Sequence, residues 1–334
     1  MRLAHRRGCL MDSLANKRLA KTNYTEFLNK YGMLIILVLL FVALSLKIDG
    51  FASVRNVLSI LEQVSMFGII AIGVTFAIVT GGIDLSGGSI VALASVVGAS
   101  IVTGSEGYGM TIFAFGAALF VGSVCGLING SITAYGRIPP FIATLGMMTM
   151  ARGMAQLFSD GRPVDASSDA FTSIGDGTVF GIPGLVIIYV LVAVVCHVMM
   201  SRMTFGRHVF AIGGNVKTAR ICGVNVEITL VKVYVLAGAL AGLAGAMLAS
   251  RAYAGNPTFG NMWELDAIAA AVIGGTSLAG GVGSVGMCIV GALIIGVMNK
   301  GLNMMGVDPY WQQIIKGMII ISAVLLDAQK RKKA

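Results

Sequence analysis

The chain has 334 residues, of which 56% are apolar and only 12% carry a charge, about half the usual charged share. So little charge excludes a soluble surface, and the 45 glycines, which follow no Gly-X-Y period, exclude collagen and favour helices packed closely in lipid. The net charge of +9 would suit a nucleic-acid-binding protein, but most Lys and Arg residues lie at the two ends and in one loop, so they indicate membrane topology instead.

Residues 1–30 form a basic leader that we expect to lie in the cytoplasm. The leader is too long for the start of a secretory signal peptide, and no small-residue cleavage site follows the first apolar stretch. That stretch is therefore predicted to be a retained membrane anchor. Met11 is an alternative start, and no conclusion depends on the tail that it would remove.

Ten apolar stretches follow, and most approach the roughly 20 residues that a helix needs to cross a bilayer. They predict an all-α polytopic fold with one membrane domain over residues 31–328. The third and eighth stretches are short and by length alone could be re-entrant. The predicted spans are 31–48, 57–80, 88–103, 110–135, 141–158, 179–200, 228–249, 265–278, 285–305 and 311–326.

The positive-inside rule decides between the two topologies. With ten crossings and the N-terminus inside, the leader, Arg137, the basic loop 201–228 and the basic tail 329–334 all lie in the cytoplasm, and the acidic loop before the sixth span faces outward. If both short stretches were re-entrant, the basic residues of loop 201–228 would move outside. Ten spans with both termini in the cytoplasm is therefore the prediction.

The second half of the chain repeats a pattern of the first, in a form that predicts an inverted repeat. Five crossings separate the copies, spans 2–5 and spans 7–10, so the copies enter the membrane from opposite sides. In transporters built this way, substrate sites lie where short or interrupted spans of the two copies meet. The alternative is chance similarity between two glycine-rich stretches. The matched residues are Gly126, Asn129, Gly136, Pro139 and Phe141 with Gly296, Asn299, Gly306, Pro309 and Trp311, and Ile83 and Asp84 with Leu265 and Asp266.

Polar groups at membrane depth are costly unless they are paired or face water, which makes them candidates for a transport pathway. Asp84 and Asp266 could equally cap helices, Asn129 and Asn299 could bond between helices, and Arg152 could pair with a carboxylate such as Glu62. No chain of carboxylates resembles a proton relay, which favours an uncharged polar solute. The pathway candidates are Gln63, Asp84, Ser86, Asn129, Thr144, Asp266 and Asn299.

The sequence lacks the motifs that would indicate a zinc site, an ATPase or an intramembrane hydrolase. The five cysteines and three histidines are scattered, so neither a disulfide framework nor a zinc site is indicated. Residues 85–89, LSGGS, resemble the signature of ABC ATPases, but the chain has no phosphate loop and no hydrolase motif. We therefore expect a chain that is not an enzyme and binds no metal or cofactor itself.

Loop 201–228 has the pattern of a docking element. Asn215 can cap a short helix over residues 216–222, and Gly223 can end it with a left-handed turn. A linker that only sets topology is the alternative, but such a linker needs no cap and no closing glycine.

Two glycine repeats predict close helix packing and nothing about substrate. Gly122, Gly126 and Gly130 share one helical face, as do Gly238 and Gly242. Small residues at this spacing allow two backbones to approach closely in lipid.

Five ordered stretches resemble the membrane permease subunits of ribose- and galactoside-type ABC sugar importers. They are GGIDLSGGSIVAL (81–93), PPFIATLGMM (139–148), FGRHVFAIGGNVKTARICGVNV (205–226), ELDAIAAAVIGGTSLAGGVGS (264–284) and NKGLNMMGVDPYWQQIIKG (299–317). The branched-chain amino acid permeases are similar in broad organisation and fit these strings less well.

This resemblance implies a transport subunit in the bacterial inner membrane. A second permease chain, identical or paralogous, would complete the pathway. An extracytoplasmic binding protein would deliver the sugar, and a separate cassette ATPase would bind ATP and magnesium and drive alternating access. The segment around 216–223 would be the coupling helix that docks on the ATPase. The residues of the ATPase-coupling loop would be Gly206, Arg207, Gly213, Gly214, Asn215, Ala219, Arg220 and Gly223.

An ion-coupled secondary transporter is the alternative function, because inverted repeats also occur in that class. It would need a buried carboxylate or cation site. A regulatory or structural membrane protein is a third option.

Overall fold

The computed structural model describes residues 31–333, and this part of the chain is almost entirely helical. The leader, Met11 and Cys9 lie outside the described residues. The helices are α1 Tyr31–Lys47, α2 Val54–Val79, α3 Gly87–Val102, α4 Tyr108–Ala134, α5 Pro140–Phe158, α6 Asp169–Asp176, α7 Gly184–Ser201, α8 Thr204–Gly214, α9 Val216–Ile221, α10 Val226–Ala252, α11 Trp263–Ile273, α12 Val285–Met304 and α13 Pro309–Lys333.

The described part of the chain also contains four two-residue strands, which form two antiparallel pairs. β1 (Val164–Asp165) pairs with β4 (Ala254–Gly255), and β2 (Thr178–Val179) pairs with β3 (Ile182–Pro183). The first pair ties the segment after α5 to the segment after α10, and Thr103 at the end of α3 donates a hydrogen bond to the Asp165 carbonyl at 2.6 Å. The ends of α3, α5 and α10 therefore lie on one face of the molecule, which we call the strand face.

The ends of α2 and α8 lie on the opposite face, which we call the loop face. There the Gly281 amide, in the loop between α11 and α12, donates a hydrogen bond to the Val79 carbonyl at 2.8 Å. The long helices therefore alternate in direction between the strand face and the loop face.

Each of the ten predicted stretches contains a helix. Three predicted bounds differ. Helix α11, at the eighth predicted span, ends at Ile273 because Gly275 adopts a positive φ of 86° just after it. Helix α7, at the sixth span, begins only after the β2–β3 hairpin, and α13, at the tenth span, continues to Lys333 instead of ending at 326. Within residues 31–333, five helices are long and apolar enough to cross a bilayer by length and composition: α2, α4, α7, α10 and α12.

The glycine repeats pack closely against neighbouring helices, as the sequence predicts. A Cβ atom added to Gly122 would lie 2.9 Å from Gly242 Cα, and one added to Gly238 would lie 2.9 Å from the Gly126 amide nitrogen. A Cβ on Gly73 of α2 would lie 2.9 Å from Ala237 Cα. Helix α10 thus packs backbone to backbone against both α4 and α2.

Candidate functional site

The two short helices α3 and α11 begin next to each other inside the fold. A Cβ on Gly88, in the first turn of α3, would overlap the Gly260 carbonyl and the Glu264 carboxylate beside the start of α11. The segment 254–262 reaches this point by running along α3 from the strand face, with Gly255 packed on Ser95 and Ala99. Helix N-termini carry partial positive charge, so their meeting point favours hydrogen-bond acceptors.

Asp84 and Asn129 meet in the non-helical segment 80–86 between α2 and α3, which we call the first break. Oδ1 of Asp84 accepts hydrogen bonds from the Ser86 amide at 2.9 Å and from the Ser86 hydroxyl at 2.6 Å. Nδ2 of Asn129 donates to the same hydroxyl at 2.9 Å. All three residues are buried, so this group fixes the extended chain before α3 against α4. Asp84 is not the N-cap of α3, which is Ser86.

Thr144 and Tyr234 hold the same break from two other helices. The Thr144 hydroxyl donates to the Ile83 carbonyl at 3.1 Å. A Cβ on Gly82 would overlap the Tyr234 hydroxyl, which is buried and has no hydrogen-bond partner among the described residues. Sequence reasoning missed Tyr234, because a tyrosine in an apolar span is usually read as packing.

Asp266 forms an ion pair at the start of α11, which we call the second break. Its Oδ2 atom lies 2.9 Å from Lys316 Nζ of α13, and only 6% of the residue is exposed. The interpretation as an N-cap is wrong for Asp266, because Met262 is the N-cap of α11 and Asp266 lies in its first turn. The pair ties α11 to α13.

We expect Lys316→Met to lower stability by about 2 kcal/mol, because it leaves a buried carboxylate without its partner. The side chain of Lys316 is one-quarter exposed, so Asp266→Asn leaves an ammonium group that can reach solvent and should cost less. The double variant should recover most of the loss. Apparent melting temperatures of the four proteins in one detergent test this, and equal losses for the two single variants would contradict it.

Gln63 and Asn299 are not brought into hydrogen bonds with the other five candidates. Gln63 is half-buried on α2. Asn299 is buried on α12, and its Oδ1 atom has no hydrogen-bond partner among the described residues. The first break is therefore a connected polar group, whereas the second rests mainly on one ion pair.

Arg152 does not pair with Glu62, the carboxylate named as an example of a partner. Glu62 lies 3.5 Å from Arg251, near the strand face. Arg152 instead donates to the Pro257 and Phe259 carbonyls at 2.6 and 2.8 Å. It therefore holds the segment that leads into α11, a role that no spacing in the sequence shows.

Loop 201–228 has the local structure that the sequence predicts. The Asn215 side chain accepts a hydrogen bond from the Thr218 amide at 3.0 Å and so caps α9, which ends at Ile221, one residue earlier than predicted. Gly223 closes the helix with φ of 84°. Ala219 is buried against Ile212 and Val226 in a small separate core.

The exposed side of α9 is mixed in character. Ile221 is 86% exposed and Val216 is 43% exposed, and Lys217 and Arg220 lie between them in sequence and are also exposed. Arg220 forms an ion pair with Glu227 at the start of α10. An apolar and basic surface on a capped, core-anchored helix is suited to contact another protein.

The sequence matches proteins of known role along almost its full length. Residues 56–324 match a family model described as the branched-chain amino acid transport system / permease component. No solved structure gives a significant match.

Similarity to curated proteins also extends along most of the chain. The chain is 42% identical to the ribose import permease protein RbsC of Bacillus subtilis (strain 168), over 93% of this chain and 96% of that protein. It is 42% identical to RbsC of Escherichia coli (strain K12), over 89% and 93%. It is 38% identical to the galactose/methyl galactoside import permease protein MglC of that strain, over 94% and 99%.

The five long apolar helices of the described residues and these permease relatives indicate a multi-pass membrane protein of the bacterial inner membrane. In ABC importers, the ATPase is a separate chain from the permease. The chain belongs to the family of ABC-importer permease subunits that includes the ribose and galactoside permeases, and it is a transport component.

Proposed function

We propose that the chain is the permease through which an ATP-driven importer moves a monosaccharide of the ribose or galactoside type into the cell. An extracytoplasmic binding protein delivers the sugar, and a separate cassette ATPase, which holds the ATP and magnesium, contacts α9. The chain itself binds no cofactor in this proposal. Helix α9 carries the proposal, because its exposed Val216 and Ile221 and its buried Ala219 make a docking element that an ion-coupled transporter does not need.

The alternating helix directions support ten crossings of the membrane. In this arrangement loop 201–228 lies on the cytoplasmic side with both termini, and the strands lie outside. The segment 254–262 and α11 together make the eighth crossing, which explains how an 11-residue helix takes the place of a full span. The single membrane domain would cover residues 31–328, with residues 1–30 and 329–334 as its basic cytoplasmic ends.

A second copy or a paralogue of the chain would complete the pathway. Helix α5 exposes Gly146, Thr149, Gly153 and Gln156 along one side, and such small and polar groups suit a facing helix or a wet path better than lipid. If the second chain is an identical copy, Gly153→Cys should cross-link the two chains in oxidised membranes. Absence of any cross-link from cysteines along this side would exclude an identical partner at α5.

Vesicle uptake tests the proposed function. Purified permease, ATPase subunit and binding protein are reconstituted together, and uptake of labelled ribose and methyl galactoside is measured with and without internal ATP. We expect uptake only with all three proteins and ATP. Uptake by the permease alone on an ion gradient would show that it is a secondary transporter instead.

The six buried pathway candidates lie at the two breaks or on α12, and Gln63 lies on α2. All seven remain candidates for sugar contact.

Asp84→Asn separates contact from local structure, because the amide oxygen can still accept both hydrogen bonds from Ser86. If Asp84 only holds the break, we expect uptake within about twofold of the parent protein, since neutral hydrogen bonds contribute about 1 kcal/mol or less each. Near-complete loss of uptake in a stable variant would assign sugar contact to Asp84.

A further inference from the structure

Three stretches of backbone from different parts of the chain meet at the loop face. They are the end of α2 at 79–81, the end of α8 at 213–214, and the loop 279–281 between α11 and α12. The Gly281 amide donates to the Val79 carbonyl at 2.8 Å, and a Cβ on Gly280 would lie 3.0 Å from both the Gly213 carbonyl and the Gly81 amide nitrogen. We call these three stretches the glycine joint.

Gly213 allows the three stretches to touch. A Cβ at this position would overlap the Val79 carbonyl oxygen and the Gly281 amide nitrogen. Both obstructing atoms belong to the backbone and cannot rotate away as the end of a side chain could. Even the smallest side chain at position 213 would therefore push α8 away from α2 and from loop 279–281.

Helix α8 is also fixed along its length, so it can transmit a displacement. Phe205 stacks on Phe76 of α2 with ring centroids 5.9 Å apart, and Val209 is fully buried. Ile212 belongs to the same small core as Ala219 of α9. A movement of α9 thus reaches the glycine joint through close-packed groups, which compress little.

Beyond the joint, the chain leads to both short helices. Gly81 is followed by the polar break and then by α3, and loop 279–281 follows α11. Helices α3 and α11 are corresponding elements of the two predicted repeat copies, spans 2–5 and spans 7–10, which we call the two halves. Their N-termini meet at Gly88 and Gly260. The joint therefore lies where one displacement of α8 acts on both halves at once.

We propose that the glycine joint is a rigid coupling that carries movement of the docking helix α9 into both halves of the permease, with Gly213 as the positioning residue. The proposal rests on the proposed docking of the ATPase at α9. It assigns to Gly213 a role in transmission rather than in contact with the ATPase.

The matched pair Gly213→Ala and Gly286→Ala tests the joint. Gly286 lies in the first turn of α12 beside the same loop, and a Cβ there would have no neighbour closer than 3.8 Å. In the reconstituted importer, we expect Gly213→Ala to keep its ATPase subunit bound but to lose about tenfold in sugar moved per ATP hydrolysed, equivalent to about 1.4 kcal/mol of coupling. Gly286→Ala should stay within about twofold of the parent.

A folding defect alone would lower the yield of assembled complex, but it would not change the amount of sugar moved per ATP hydrolysed. Parental coupling in Gly213→Ala would overturn the proposal. If the parent complex showed no bound ATPase or no ATP-driven uptake, the proposed function would fail, and that outcome is visible before any variant is made.

Hydrogen exchange on the parent complex tests rigidity without a substitution. A peptide covering 278–284 reports the Gly281 amide, which is bonded to the Val79 carbonyl. We expect equally slow exchange in the nucleotide-free and ATP-trapped complexes. At least tenfold faster exchange in either state would show that the stretches separate during the cycle and would overturn the rigid joint, even if Gly213→Ala could not be purified.

Discussion

Gly126→Leu should abolish the folded permease. Gly126 lies on the α4 face that meets α10, and even a Cβ there would overlap the Tyr234 carbonyl oxygen and lie 2.9 Å from Val235 Cα. Leucine adds three more carbon atoms against backbone that has no room to move. Overpacking of this kind costs about 3 kcal/mol or more, and the site lies between two of the long central helices, so the loss affects the whole bundle.

Gly116→Leu is the matched control on the same helix. Gly116 is exposed, with nothing within 4 Å of the position of its Cβ, so leucine there faces outward. Fluorescence-detected size exclusion of the two variants in one detergent measures the folded fraction. We expect a parental peak for Gly116→Leu and loss of the peak for Gly126→Leu. Similar peaks for both variants would show that the contact between α4 and α10 does not limit folding.

Helix positions and close contacts followed from the sequence because they depend on local patterns. The length of an apolar stretch predicts a helix, and glycines at a spacing of four predict a face that packs backbone to backbone. These patterns predicted α4 and α10 and a closely packing face on each, whereas only the structure shows that Gly122 and Gly238 face each other. Asn215 and Gly223 predicted α9 for the same reason, since caps and left-handed turns involve only neighbouring residues.

Polar partners were predicted less well, because they depend on which helices become neighbours. Asp266 pairs with Lys316, 50 positions away in sequence, and Arg152 binds carbonyl groups of a segment more than 100 positions away. Any buried carboxylate before a helix resembles a cap in sequence. Only the three-dimensional arrangement shows that Asp84 instead bonds the backbone of Ser86.

The path from α9 to the glycine joint was also absent from the sequence reasoning. Gly213 was predicted only as a member of the ATPase-coupling loop, from the resemblance to sugar permeases. Its Cβ position faces Val79 and Gly281, which belong to two other parts of the chain. A glycine can be required for a backbone angle or for a close approach, and the sequence alone does not distinguish the two reasons.

Gly223→Val should uncouple ATP hydrolysis from sugar delivery. Gly223 has φ of 84°, and nothing lies within 4 Å of the position of its Cβ, so the requirement for glycine is conformational rather than steric. The closing turn includes the bond from the Val224 amide to the Ala219 carbonyl, at 3.0 Å. A β-branched residue in the left-handed region costs about 1–2 kcal/mol or more, enough to open the last turn of a six-residue helix and displace its exposed face.

Gly223→Asn separates this cause from a general effect of substitution, because asparagine adopts left-handed angles readily. In the reconstituted importer, the valine variant should lose at least about tenfold of the ATP hydrolysis stimulated by sugar and binding protein, the change that about 1.4 kcal/mol produces, and it should still dock the binding protein on the opposite face. The asparagine variant should retain stimulation within about twofold. Parental stimulation in the valine variant would contradict the role of α9 as the ATPase contact, whereas equal loss in both variants would show that the side chain itself, not the backbone angle, disturbs the interface.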